Sequence, residues 1–349
     1  MLNGEDLERI LIVKLGSIGD VVHALPTLNA LGRSFPVSHI SWVVEPDSKD
    51  LLLGHRALSE LIVFERDRSS VSKTVKAFFR LIKRLRQERY DVVLDLQGTI
   101  KSGMISFLSG SSVRLGFARG SSRIEKFSHI FADIKVKEGN CAHIVERNLQ
   151  FARRLGAEPG EVKFDIPIRR DAEDYVNQFL RNNGIYDKQL VALNPGAGWS
   201  TKRWSLGKYA TLADEISSNF RDVSVILTWG PGEYNSVEEI YRMARSGPIM
   251  ACRTTIGQLI PLLKRCKVLV SGDTGPLHIA AALGTRSIGL FGPVDSRRNG
   301  PYGHGNFVVE AEDLDCLGCW RKECDRLDCM KKIEVSDVLE KVDVCLRAL

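Results

Sequence analysis

Residues 267–283 constrain the fold of this chain more than any other stretch. Lys267-Val-Leu-Val270 has the character of a short buried strand. Ser271-Gly-Asp-Thr-Gly-Pro-Leu-His278 is a small polar turn, and Ile279-Ala-Ala-Ala-Leu283 reads as the first turns of a helix. A strand that passes through glycine into a helix is the building unit of a parallel α/β sheet. The helix start presents unpaired backbone N–H groups and the positive end of the helix dipole, which together favour an anion. The turn lies about three-quarters along the chain, so the phosphate it suggests belongs to the second half, not to an ordinary N-terminal dinucleotide-binding domain.

The same unit recurs. Ile10-Leu-Ile-Val13 is a strand, Lys14-Leu-Gly-Ser-Ile-Gly-Asp20 a glycine turn and Val21-Val-His-Ala-Leu25 a helix. Strands are expected at His39–Val44, Leu61–Phe64 and Asp91–Leu96, with a helix of 3.6-residue periodicity over Lys73–Gln87. The pattern restarts with strands at Gln189–Leu193, Val223–Thr228, Val268–Val270 and Arg286–Phe291, and a helix over Tyr209–Phe220. Strands alternating with helices mean doubly wound sheets. The 349 residues have room for two such units. Pro159-Gly160 and Pro167 to about Asp171 are the linker candidates. The expected division is 1–165, 172–334 and a C-terminal amphipathic helix within 335–349.

Charge narrows the partners. The 49 basic and 43 acidic residues leave a net charge of +6, which suits an anionic substrate or an anionic membrane surface and is too small to argue for nucleic acid. No run approaches the ~18–20 apolar residues that span a bilayer. Met1–Arg9 does not read as a signal peptide, so a cytoplasmic location is expected.

Three strand-to-helix turns in addition to 271–278 carry candidate chemistry. Asp20 is a carboxylate in the first turn of a helix, at the strand end where α/β folds place their crevice. It reads either as a functional acid or as a cap of that helix. Asn194-Pro-Gly-Ala-Gly198 is followed by Lys202 and Arg203, which can neutralise phosphates or stand as solvated surface cations; the P-loop spacing is absent. Glu233 follows Trp229-Gly-Pro-Gly232 and can accept hydrogen bonds from ribose or simply start a helix. The three turns of the second half together describe one crevice for a nucleotide diphosphate. Separately, Cys316, Cys319, Cys324 and Cys329 fall within fourteen residues. Four thiolates can close a zinc site, but the C-x2-C-x4-C-x4-C spacing is tight for one; a disulfide or redox pair and reduced packing thiols are the other readings, the last preferred.

On these residues the chain resembles glycosyltransferase family 9, the bacterial lipopolysaccharide heptosyltransferases. The resemblance rests on Ile12–Pro26, Trp42-Val-Val-Glu45, Asp95–Ser102, Lys202-Arg-Trp204, Asp273-Thr-Gly-Pro-Leu-His278 and Leu290-Phe-Gly-Pro293. The opening and the Trp-Val-Val-Glu segment are most similar to the type I branch, which adds the first heptose to the Kdo residues of lipid A. The resemblance implies a GT-B fold, two Rossmann-like domains facing across a cleft, with the acceptor in the first and ADP-heptose in the second. It implies Asp20 as catalytic base and Lys202, Glu233, Thr254, Asp273, Thr274, Gly275 and His278 around the donor. Ser17, Gly19, Arg66, Lys101, Arg123 and Arg147 are the implied acceptor contacts.

The reaction so implied is an inverting transfer from ADP-heptose to a Kdo-lipid A or larger core acceptor. It needs no cofactor or metal beyond the donor, and it would be carried out by a peripheral protein on the cytoplasmic face of the inner membrane. Type II or III acceptors, a GT-B sugar-nucleotide epimerase or hydrolase, and a non-catalytic binding protein are the alternatives.

Overall fold

The computed structural model describes residues 7–66, 69–121 and 124–347. The chain divides into two compact units, the first ending at Pro167 and the second starting at Ile168. In the first, β1 (Arg9–Val13), α1 (Ile18–Val22), α2 (Leu25–Ser34), β2 (His39–Val44), β3 (Glu60–Val63), α3 (Val71–Glu88), β4 (Val92–Asp95), α4 (Ile100–Leu108), β5 (Val113–Phe117), β6 (Ile134–Val136) and α5 (Ile144–Arg154) follow one another. In the second, α6 (Arg170–Asn182), β7 (Gln189–Asn194), α7 (Leu206–Asn219), β8 (Val223–Leu227), α8 (Tyr234–Met243), β9 (Ile249–Met250) and α9 (Ile256–Arg265) are followed by β10 (Val268–Gly272), α10 (Gly275–Ala282), β11 (Arg286–Phe291), α11 (Ser296–Asn299), β12 (Phe307–Glu310), α12 (Asp328–Lys331) and α13 (Val335–Arg347).

Each unit holds one parallel sheet, and the two sheets have the same strand order. The first runs β3-β2-β1-β4-β5-β6 and the second β12-β11-β10-β7-β8-β9. Numbered within its own unit, each is the 3-2-1-4-5-6 order of the Rossmann fold. The central strands read as continuous apolar runs because helices cover both faces, so neither face needs polar residues. Ile10, Leu11, Ile12 and Val13 are all fully buried, as are Leu190, Val191, Ala192 and Leu193. The order reverses direction between β1 and β4 in the first sheet and between β7 and β10 in the second. The loops leaving those strands part to opposite sides and open a crevice at the carboxyl ends.

Several elements differ from what the sequence suggests. The helix after the first turn breaks at His23–Ala24 into α1 and α2, and Pro26 starts α2 at a position where its missing N–H costs nothing. Helix α10 starts at Gly275, not at Ile279, with Thr274 as the N-cap and Pro276 in its first turn. Half of the 271–278 turn is therefore helix. Helix α13 belongs to the core of the second unit, where Val338, Val342 and Cys345 are fully buried beside Ile216 and Leu290.

Candidate functional site

At the β1/β4 switch point, the turn after β1 is fastened to the turn after β4. The Gln97 side-chain oxygen accepts the backbone N–H groups of Leu15 (3.0 Å) and Gly16 (3.3 Å). Gln97 is in turn held by Asp95, whose Oδ1 accepts the N–H groups of Gln97 and Gly98 and whose Oδ2 accepts the Ser102 hydroxyl. Burial pushes the Asp95 carboxyl up to about 6, against those hydrogen bonds and the nearby Lys14 ammonium, which favour the charged form.

Asp20 sits in the first turn of α1 with its side chain 37 % exposed. One oxygen accepts the Ser17 N–H (3.2 Å) and hydroxyl (3.3 Å), so the helix-capping role is real. The other lies 3.7 Å from Nζ of Lys14, a buried lysine that also donates to the Leu96 carbonyl at 2.8 Å. Gly19 is buried under this turn and Ser17 is exposed at its N-cap. A cavity of about 400 Å³ opens beside it, lined by Ser17, Glu45, Asp47, Gln97, Thr99 and Lys101 among others. Glu45 binds Lys101 at 2.6 Å and Arg66 at 3.7 Å, which brings two of the expected acceptor cations to this cavity or its rim. Arg147, on α5, pairs instead with Glu138 (3.2 Å) and donates to the Cys141 carbonyl, away from that cluster. Arg123 lies outside the described residues.

At the β7/β10 switch point the ionic partners are closer. Asp273, at the end of β10, is 7 % exposed and takes Lys202 Nζ on Oδ2 (2.5 Å) and His278 Nε2 on Oδ1 (3.1 Å). Burial alone pushes this carboxyl up, but His278 and Lys202 outweigh it and hold it down to about 2. The Lys202 ammonium also lies over the Trp199 ring at 4.3 Å. Close backbone approach explains Gly272: a Cβ there would stand 2.8 Å from the Lys202 carbonyl oxygen. Gly196 has the same relation to Glu233, whose carboxylate occupies the space of its absent Cβ and accepts the Gly230 N–H at 2.7 Å. The turns after β7 and β8 are thus in contact. Thr254 is half-buried in the segment after β9, which Trp229 reaches through a hydrogen bond from its indole N–H to the Ala251 carbonyl.

The four clustered cysteines lie near one another, and burial together with the neighbouring Cys316, Cys319 and Cys324 pushes the Cys329 thiol up. Cys316, Cys319 and Cys324 are exposed, whereas Cys329 turns into the core against Gly292. Among the described residues no group of three or more His, Cys, Asp or Glu side chains is arranged to hold a metal ion, and all eight cysteines are free thiols.

Sequence reading missed the supports of both switch points. Lys14, Asp95 and Gln97 brace the Asp20 turn. Asn194 is a buried hub whose amide reaches Ser271 Oγ (3.1 Å) and whose side-chain oxygen accepts the Thr228 hydroxyl (3.2 Å), joining the ends of β7, β8 and β10. A polar residue closing an otherwise apolar strand is the signal common to Asp95, Asn194, Thr228 and Ser271.

The model of glycosyltransferase family 9 (heptosyltransferase) matches residues 78–330. Lipopolysaccharide heptosyltransferase 1 of Pseudomonas aeruginosa is 28% identical, over 98% of this chain and 94% of its own. The protein of the same name from Escherichia coli is 28% identical over 87% of this chain and 93% of its own. Among solved structures, a family 9 glycosyltransferase of Veillonella parvula superposes with a TM-score of 0.83 at 19% identity, covering 99% of this chain and 98% of its own. The Escherichia coli heptosyltransferase WaaC with ADP gives 0.77 at 22%, covering 97% and 99%. Two Rossmann-like sheets, with loops braced at both switch points, are thus the GT-B fold of these enzymes. The chain is a glycosyltransferase and belongs to family 9, the heptosyltransferases.

Proposed function

We propose that the chain moves L-glycero-D-manno-heptose from ADP-heptose to the Kdo-lipid A inner core, with inversion, on the cytoplasmic face of the inner membrane. The type I acceptor is favoured by the near full-length likeness to heptosyltransferases of that name. The observation that carries the reading is the Lys202–Asp273–His278 cluster at the β7/β10 switch point. The buried Asp273 carboxylate orients Lys202 beside the start of α10, where a diphosphate would find the ammonium's remaining N–H donors and the positive end of the helix dipole.

In this reading, Lys202 and the N–H groups at the start of α10 take up the charge that develops on the leaving ADP. Asp20 removes the proton from the acceptor hydroxyl as that oxygen attacks the anomeric carbon. Ser17 fixes one oxygen of Asp20 and Lys14 faces the other, so the carboxylate is oriented before the acceptor arrives. Lys101 and Arg66 at the neighbouring cavity are suited to the acceptor's carboxylates and phosphates, with Glu45 holding them in place. Glu233 and Thr254 are assigned to the nucleoside side of the donor.

An ADP-release assay with ADP-heptose and a panel of truncated lipopolysaccharide acceptors tests this. Release that depends on a Kdo-terminated acceptor is expected. Release with no acceptor would make the chain a hydrolase, and release only with heptose-terminated acceptors would move it to another branch.

A further inference from the structure

The first unit carries an apolar face that its own fold leaves uncovered. Helices α3 and α4 pack side by side on one core cluster, through Leu81, Ile82 and Leu85 of α3 and Ile105 of α4. The N-terminal half of α3 nevertheless exposes Val71 (83 %), Val75 (45 %) and Phe79 (65 %). Helix α4 exposes Ile100, Met104 and Phe107, spaced four and three apart and so on one side of the helix. The short helical turn Ser128–Phe131 packs on α4, with the Phe131 ring against Gly103 and 6.3 Å from Phe107. It adds Phe127 and Ile130, both more than half exposed. Every exposed phenylalanine among the described residues lies on these three elements. Large apolar side chains left exposed on neighbouring elements are the material of a docking surface.

Charge identifies what it docks on. Helix α3 holds Lys73, Lys76, Arg80, Lys83, Arg84 and Arg86 against one acid, Glu88, at its end. Lys126 lies over the Phe127 ring at 5.6 Å, and Arg114, paired with Asp133 at 2.6 Å, lies over the Phe107 ring at 5.0 Å. A second copy of this face would bring two rows of like charge together. An anionic lipid surface instead accepts both components: aromatic and aliphatic side chains at the acyl boundary, and long basic side chains at the headgroups. Helices α3 and α4 both start at the carboxyl end of the first sheet, the end that holds Asp20 and the Glu45–Lys101 cavity.

We propose that this face of the first unit, formed by α3, α4 and residues 127–131, docks on an anionic lipid bilayer and so presents the β1/β4 switch point to a lipid-anchored acceptor. The purpose rests on the function proposed above; the binding itself does not.

The test is sedimentation with phosphatidylethanolamine vesicles containing phosphatidylglycerol, and with pure phosphatidylcholine vesicles. Wild type is expected to bind the anionic vesicles, at least about tenfold more weakly as salt rises to 0.5 M, and to bind phosphatidylcholine poorly. Two variants, Phe79→Ser/Phe107→Ser/Phe127→Ser and Lys76→Glu/Arg80→Glu/Lys126→Glu, should each lose about tenfold or more of that binding. Their ADP affinity, unfolding temperature and transfer to a deacylated, soluble acceptor should match wild type. The proposal is overturned if wild type does not sediment with anionic vesicles, or if a variant with intact ADP binding sediments as wild type does. It is equally overturned if light scattering shows a dimer that the variants dissolve, since the occupant is then a second copy. Absence of transfer to the soluble acceptor by wild type would sink the proposed function and leave the vesicle result to stand by itself.

Discussion

The capping role of Asp20 and its proposed role as base can be separated by a pair of substitutions. As a cap of α1 it accepts the Ser17 N–H, which an asparagine oxygen can also do; as a base it must be a carboxylate. Asp20→Asn should therefore lower kcat by about 10²–10⁴ while leaving unfolding within about 0.5 kcal/mol, whereas Asp20→Ala should add about 1 kcal/mol of destabilisation. Donor affinity, read by calorimetry with ADP-heptose, should survive both. Turnover by Asp20→Asn near the wild-type rate would end the base assignment. Lys202→Met should act the opposite way, weakening ADP binding by about ten- to a hundredfold, the loss of one charge-assisted hydrogen bond.

Asp95 gives a pH signature of its own. Its folded pKa, about 6, lies above the ordinary 3.8, so ionisation is harder in the folded protein. The penalty is absent below about pH 4, grows as pH rises through the window up to 6, and reaches on the order of 3 kcal/mol at neutral pH. Asp95→Asn escapes it. Its unfolding temperature relative to wild type should rise between pH 4 and pH 7, and a flat difference would show that the carboxyl is not strained. Asp273 has the opposite sign. Held near 2, it contributes stability that is complete above about pH 4 and lost as pH falls towards 2. Asp20, Lys202, Asp273 and His278 could all be picked out in the sequence because each sits in a strand-to-helix turn of recognisable local pattern. Lys14 and Gln97 could not, because their partners are about eighty residues away in the chain and meet only once β1 and β4 are paired.

Among the elements, most interior strands were legible, although β5 was not, and of the four edge strands only β3 was. Strands β2 and β11 and helix α13 have the limits that apolar patterning suggests, the strands because burial on both faces leaves a continuous run and the helix because its buried Val338, Val342 and Cys345 recur at helical spacing. Strands β6 and β9 have three and two residues, and β12 alternates exposed with covered positions at the sheet edge, so none carries enough apolar signal to stand out. Packing between elements supplies a sharper prediction than their limits do. Gly272 ends β10 directly against the Lys202 backbone. Gly272→Ala should push the Trp199–Lys202 turn away from α10, costing about 1–3 kcal/mol of stability, and should weaken ADP binding as well. Calorimetry and thermal unfolding read the two losses together; normal ADP affinity in this variant would show that the turn does not touch the donor.

For the molecule as a whole, the doubled strand order makes a spatial prediction about ligand-linked protection. ADP at a hundred times its Kd should stabilise what it binds by about 2.7 kcal/mol. Hydrogen exchange should slow in residues 194–204 and 271–278 and stay unchanged at 14–20; protection of the first turn instead would reverse the assignment of donor and acceptor. The sheets share an order but no repeated sequence, and each braces its crevice with its own residues, Gln97 in one and Asn194 in the other. That independence bears on how such a chain can diversify. On the proposed assignment of acceptor to the first unit and donor to the second, the loops of the first sheet can be rewritten for a differently shaped sugar terminus without disturbing the proposed nucleotide turns, so a lineage built this way can lengthen a glycan step by step while drawing on one activated sugar.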